Sequence, residues 1–304
     1  MERNNLININ CLKRADGQKW LKFSEISTLT LGAGFLLSGI IFFFAFNWEN
    51  IHRFIKMGIV LALLLATFVA SIKAPMRDWV RKITISSMCV LVGAFWALFG
   101  QVYQIGADSY LLFLAWSLCI VVWVAVTDFY PLWLFFMALV MLAYGLAPAI
   151  PFQLFDYAVI LSIFILFFEF SPRFIPNKSV APKWFITLLF SALYIISVIL
   201  ISVYIFNTKN ILHLLFSIAA SACVYIYATR KKNLALYALF FTGVLVVVYI
   251  LFIRIIWNIG AIVLYSFSFL ACVYFLGKHV ISKKKEWENS SEAESLSESP
   301  KIEE

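Results

Sequence analysis

TLTLGAGFLLSGIIFFFAFNWENIHRFIKMGIVLALLLATFVASIK, residues 28–73, decides the fold. Residues 28–46 and 57–72 carry no charged side chain, and each run approaches the roughly 20 apolar residues that a helix needs to cross a hydrocarbon core. Between them NWENIHRFIK supplies a carboxylate, an imidazole and two cations within ten residues. The pattern is that of two membrane helices joined at a polar surface.

The rest of the chain repeats it. Apolar residues make up 63% of the 304 positions and charged residues 13%, against about 45–50% and roughly 25% in soluble domains. Mean hydropathy is +0.93. Cutting at charges, prolines and Asn/Asp clusters predicts an all-α bundle of ten spans, near residues 26–47, 57–73, 83–103, 110–127, 131–147, 156–170, 184–206, 211–229, 234–253 and 258–277. Residues 131–170 also admit a re-entrant piece around Ala147-Pro148-Ala149-Ile150-Pro151. Residues 1–25 read as a cytoplasmic segment, 26–277 as the membrane domain and 278–304 as a disordered cytoplasmic tail.

The charges orient this bundle. The net charge of +8 conceals seven acidic residues among the last nineteen positions, so residues 1–285 hold 23 Lys/Arg against 9 Asp/Glu. With ten spans, the termini and the even-numbered connections carry 20 of the basic residues and the odd-numbered connections 4. That bias places both termini in the cytoplasm. Because the bases lie between apolar runs, they point to anionic lipid headgroups and to no nucleic acid. The expected location is a bacterial inner membrane, with the bilayer as the constant partner.

Catalytic and metal signatures are absent from the sequence. There is no HExxH, GxSxG or phosphate-binding GxxxxGK[ST], and Cys11, Cys89, Cys119, Cys223 and Cys272 form no CxxC pair. No cofactor is expected, no metal site, and no enzyme activity is indicated. His213 and His279 fall at span ends and suggest neither a metal nor a proton relay. Asp128, Asp156, Glu169 and Arg254 also fall near span ends, where the cost of charge declines. Gly32 and Gly39, and likewise Gly93 and Gly100, are seven residues apart, a spacing that lets another helix approach one face closely.

Two polar stretches remain, and the topology puts both on the external side. In FGQVYQIGADSYLLF, residues 99–113, a third span running through Gln104 would set Gln101 and Gln104 on one face. Gly106 would end that span and Asp108 would cap the next. In FAFNWENIHRFIKMG, residues 44–58, Trp48, Ile51, Phe54 and Ile55 recur at helical spacing and Glu49 lies four before Arg53. A short interfacial helix follows from that spacing. Caps, anchors and an interfacial helix account for both stretches structurally. The functional reading joins them as one outward-facing polar site of Trp48, Glu49, Asn50, His52, Gln101, Tyr103, Gln104 and Asp108, with Arg254 as a partner for Asp108 or Glu49.

The same two stretches carry a resemblance. GAGFLLSGIIFFFAFNWENIHRFIKMGIVLALLLATFVAS, residues 32–71, and GAFWALFGQVYQIGADSYLLFLAWSLCIVVWVAV, residues 93–126, resemble a bacterial family of predicted membrane proteins of unknown function. An FNW-type exit from an early span and a GQIYQ-x-GAD-type elbow mark that family, over residues 30–145 here. The resemblance implies a multi-pass protein and brings no assigned activity. The expectation is a small-solute transporter or permease-like protein with an outward polar mouth; the alternative is a non-transporting envelope assembly or sensor protein that binds another membrane component.

Overall fold

A computed structural model describes residues 17–46, 52–103, 109–147, 153–174, 180–207, 210–255 and 259–297. Ten helices occupy them: α1 (Gly17–Phe46), α2 (Arg53–Lys73), α3 (Asp78–Val102), α4 (Ser109–Val126), α5 (Tyr130–Gly145), α6 (Leu154–Phe174), α7 (Lys183–Phe206), α8 (Ile211–Arg230), α9 (Leu234–Ile255) and α10 (Ile259–Ser297). No strand occurs among the described residues. Eight of the helices are long and apolar enough to cross a membrane. The chain is a polytopic helical membrane protein.

Local chemistry explains where helices start and stop. Ala74 precedes Pro75 and is extended (φ −75°, ψ 136°), as the proline ring requires of its neighbour, so α2 cannot continue. Pro131 sits in the first turn of α5 and Pro182 immediately precedes α7; a missing N–H costs nothing at a helix start. Helix α5 has 16 residues, about 24 Å at 1.5 Å per residue, shorter than a full hydrocarbon core of about 30 Å. The Ala147–Pro151 stretch expected to admit a re-entrant piece falls largely outside the described residues.

The chain divides into two compact units, Met1–Pro151 and Phe152–Glu304, with five described helices in each. In the first, α3 is the hub and touches α1, α2 and α4, while α5 packs on α4. In the second, α7 is the hub and touches α6, α8 and α9, while α10 packs on α9. The outward faces stay apolar, with Phe35 and Leu36 of α1 exposed. Lipid tails cover such faces at no cost, whereas backbone polar groups must be satisfied within each helix.

Each hub holds a partner by the same device. In unit 1 the Trp116 ring lies over Gly93, where any Cβ would overlap it, and its indole Nε1–H donates to the Cys89 carbonyl at 2.7 Å. In unit 2 the Tyr194 ring lies over Gly243, and its hydroxyl donates to the Phe240 carbonyl at 2.6 Å. An aromatic with a polar tip needs a partner when buried, and a glycine one turn away lets the ring lie flat against the neighbouring backbone. Among the glycines singled out by spacing, Gly93 has this role. At Gly32, Gly39 and Gly100 an added Cβ meets open space.

Two elements run further than the sequence suggests. Helix α1 begins at Gly17 rather than near residue 26, and Glu25 within the added turns accepts from Arg77 Nη1 at 2.9 Å, tying α1 to the start of α3. Helix α10 runs past the basic cluster to Ser297, where a tail without structure was expected from residue 278. The reason is local. Lys283 pairs with Glu286 at 2.6 Å and Lys284 with Glu288 at 3.6 Å, and the Trp287 ring meets Tyr237 of α9 at 5.4 Å. The Tyr237 hydroxyl in turn contacts His279 Nε2 at 3.0 Å. The hydrogen bond that Lys283 donates to Glu286 also raises the Lys283 pKa, a preference for the charged form. Exposed i,i+3 and i,i+4 pairs contribute only a few tenths of a kcal/mol each, so Trp287 is the anchor. Changing Trp287 to alanine is expected to speed proteolytic cleavage between residues 283 and 290 at least several-fold while leaving the membrane helices intact. Unchanged cleavage would assign the order to the ion pairs instead.

Candidate functional site

Four residues locate the polar end of unit 1. Val60 of α2 and Leu98 of α3 are buried together, with Ile40 of α1 and Phe95 of α3 packed against them. Residues 74–77 join α2 to α3, so the two helices run antiparallel. One turn from Val60 toward the start of α2 is therefore level with Gln101 and Val102, one turn from Leu98 toward the end of α3.

The residue at that level on α2 is Lys56, and only 2% of it is exposed. Its (CH2)4 stem can pack on apolar neighbours, but a buried ammonium is costly unless it is paired and hydrogen-bonded. Lys56 does not stand alone; it has an interaction partner. The described acids of unit 1 lie away from this level. Glu25 is engaged by Arg77, Asp78 opens α3 at the far end, and Asp128 follows α4 at that same far end. Glu49 and Asp108 precede α2 and α4 in sequence and lie outside the described residues.

The expected site residues divide as follows. His52 is the exposed N-cap of α2, with an extended backbone and no side-chain cap bond; its carbonyl accepts from the N–H groups of Ile55 and Lys56. Its ring lies 5.5 Å from that of Phe54. Gln101 is exposed in the last turn of α3, and Tyr103 is the C-cap, with its ring 4.6 Å from Phe99. These three share one end of the unit with Lys56. Trp48, Glu49, Asn50, Gln104 and Asp108 lie outside the described residues, as do Gly106 and the expected Asp108 cap. Arg254 is exposed in the last turn of α9, a helix of the second unit.

One local expectation changes. The sequence spacing puts Phe54 and Ile55 in an interfacial helix within residues 44–58, with the second span starting at 57. They lie in the first turn of α2, exposed, and the Arg53 guanidinium stands over the Phe54 ring at 5.4 Å. The early start draws Lys56 out of the connection and into the packed helix. A sequence signal for this exists. Lys56, Val60, Thr67 and Ser71 recur at steps of four, seven and four, one face of a helix, and in a lipid-exposed helix polar residues mark the protein-facing side. Lys56, Val60 and Ser71 are indeed buried.

Comparison with known proteins adds a family and no activity. Residues 11–133, about two-fifths of the chain, match the model of a family described as predicted membrane protein (DUF2157). The match spans α1 to α4 and the start of α5, including both polar stretches. No curated protein and no solved structure matches the chain.

Proposed function

We propose that this membrane protein is permease-like and receives a small polar solute at the end of unit 1 that carries Lys56. The observation that supports it is the burial of Lys56 level with Gln101. An ionisable side chain held inside a membrane bundle is costly and most often serves a binding or transport path. In this reading Lys56 supplies the positive charge of the mouth, and Asp108 and Glu49, which precede α4 and α2 in sequence, are the carboxylates to test as its counter-charge. His52, Gln101 and Tyr103 supply donors, acceptors and an aromatic wall. Such a charge-paired site suits a solute able to exchange for one member of the pair. The basic bias of the even-numbered connections makes this end external.

The test is uptake into proteoliposomes across a panel of small anionic, cationic and zwitterionic solutes. Wild-type protein is expected to move at least one of them, and Lys56→Met to lower that flux tenfold or more at equal insertion. Failure of the wild type to move any member would sink the transport reading.

A specific observation also favours the non-transporting alternative. The apolar stretch of α1 has no buried residue, and Gly32, Gly34 and Gly39 face open space, a surface on which a second membrane helix can seat closely. If that reading holds, Gly39→Leu abolishes co-purification of one stoichiometric partner and leaves the monomer stable.

A further inference from the structure

We infer that unit 2 carries a separate binding site for a phosphate group, at the end where α6 finishes, α7 starts and α8 turns into α9. A cavity of about 440 Å³ lies there, within the size range of small-molecule sites. Glu169 of α6, Lys183 of α7, Tyr227 of α8, and Lys231, Lys232 and Asn233 of the turn line it. Phe168, Ile186 and Leu234 give it an apolar side.

Charge selects the ligand. Lys183 and Lys231 reach the cavity from two separated segments, against the one carboxylate of Glu169. Among the described residues Lys183 and Lys231 form no ion pair with Glu169 or with any other acid. Lys232 Nζ donates to Ser290 Oγ of α10 at 3.1 Å and has partners of its own, so it is left out of that balance. The surplus of positive charge calls for an anion, and the Tyr227 hydroxyl and Asn233 amide add hydrogen-bonding capacity for oxygens. Asn233 is already fixed, since its Nδ2 donates to Thr187 Oγ1 at 2.7 Å while its Oδ1 accepts from the Leu236 N–H at 3.2 Å. The apolar side favours a phosphate ester over a bare inorganic ion.

The backbone supports the same conclusion. The Asn233 N–H bonds the Ala228 carbonyl at 2.8 Å and the Lys232 N–H bonds that of Thr229 at 3.3 Å, the paired bonds of a Schellman helix end. Its left-handed position normally takes glycine or asparagine, yet Lys232 occupies it with φ 50°. Strain of this kind collects at functional positions. Here it fixes the turn that carries Lys231 and Asn233 to the cavity.

A phosphate ester can reach this cavity as a lipid headgroup or as a soluble metabolite, and the experiment separates the two. Full-length protein in nanodiscs of phosphatidylcholine, with and without phosphatidylglycerol, is analysed by native mass spectrometry for retained lipid. Glycerol 3-phosphate binding is titrated calorimetrically in parallel. Lys183→Gln/Lys231→Gln is compared with Lys183→Arg/Lys231→Arg, which keeps the charge and reports on folding. Retention of phosphatidylglycerol that falls tenfold or more in the glutamine variant and survives in the arginine variant assigns a lipid headgroup. The same pattern with glycerol 3-phosphate alone assigns a soluble ester. Equal retention in wild type and glutamine variant, with no glycerol 3-phosphate bound above the phosphatidylcholine background, overturns the site. Both substitutions lie in unit 2 and leave Lys56 untouched, so this result and the flux result stand or fall separately.

Discussion

With a carboxylate as the partner of Lys56, Lys56→Met is expected to lower the unfolding free energy of unit 1 by about 3–5 kcal/mol, the usual cost of removing one partner from a buried charge pair. The methionine fills nearly the same volume, so the loss is not a packing defect. It is the desolvation penalty of the counter-charge left behind. If that counter-charge is Asp108, adding Asp108→Asn to Lys56→Met restores most of the stability, because a neutral pair costs little to bury. The coupling read from the double-mutant cycle is then in the upper part of the 0.5–3 kcal/mol range found for contacting residues. Glu49→Gln serves as the second arm of the cycle. Thermal unfolding in a neutral detergent provides the readout. Strict additivity with both acids would mean that Lys56 is paired elsewhere and that the proposed mouth does not exist.

Stability and transport separate in the same set of proteins. Lys56→Met/Asp108→Asn is expected to be folded yet inactive in flux, since a neutral pair no longer offers a charge for a solute to replace. A purely structural pair would leave flux intact once stability returned.

How much of this was written in the sequence depends on what kind of signal each feature leaves. Helix positions were legible almost to the residue in α4, α7 and α8, because charges, Pro131, Pro182 and the Lys231-Lys232-Asn233 turn interrupt otherwise apolar runs. Which face of each helix packs was far less legible. In water an apolar stripe marks the buried side, but here lipid and protein interior are both apolar, so Leu118 facing outward and Leu132 facing inward look alike in sequence. The few polar residues carry the facing information instead. The apolar run begins at Met57, four residues after α2 does, so by hydropathy alone Lys56 belongs to the connection and its burial leaves no trace. The phosphate cavity was illegible for another reason. Glu169 and Lys183 are near in sequence, but Tyr227 and Lys231 reach them only through the packing of α7 on α8.

Gly93→Leu is expected to be the most damaging change in the α3–α4 contact. Even one added carbon at Gly93 would overlap the Trp116 ring, and a ring system cannot yield by rotating the end of a flexible chain. The helices must separate or Trp116 must leave its rotamer. Overpacking of this sort costs about 1–3 kcal/mol. Displacing the indole also breaks its 2.7 Å bond to the Cys89 carbonyl, adding about 0.5–1.5 kcal/mol. Because Trp116 also meets Phe135 of α5 at 5.4 Å, the damage extends to the next helix pair. The measurement is the shift in thermal midpoint, with Gly100→Leu on the same helix as control, where an added Cβ meets nothing within 4 Å. A drop confined to Gly93→Leu, and relieved by Trp116→Ala in the same chain, identifies the overlap as the cause. Equal drops at both glycines would instead assign the loss to a general intolerance of bulk in α3.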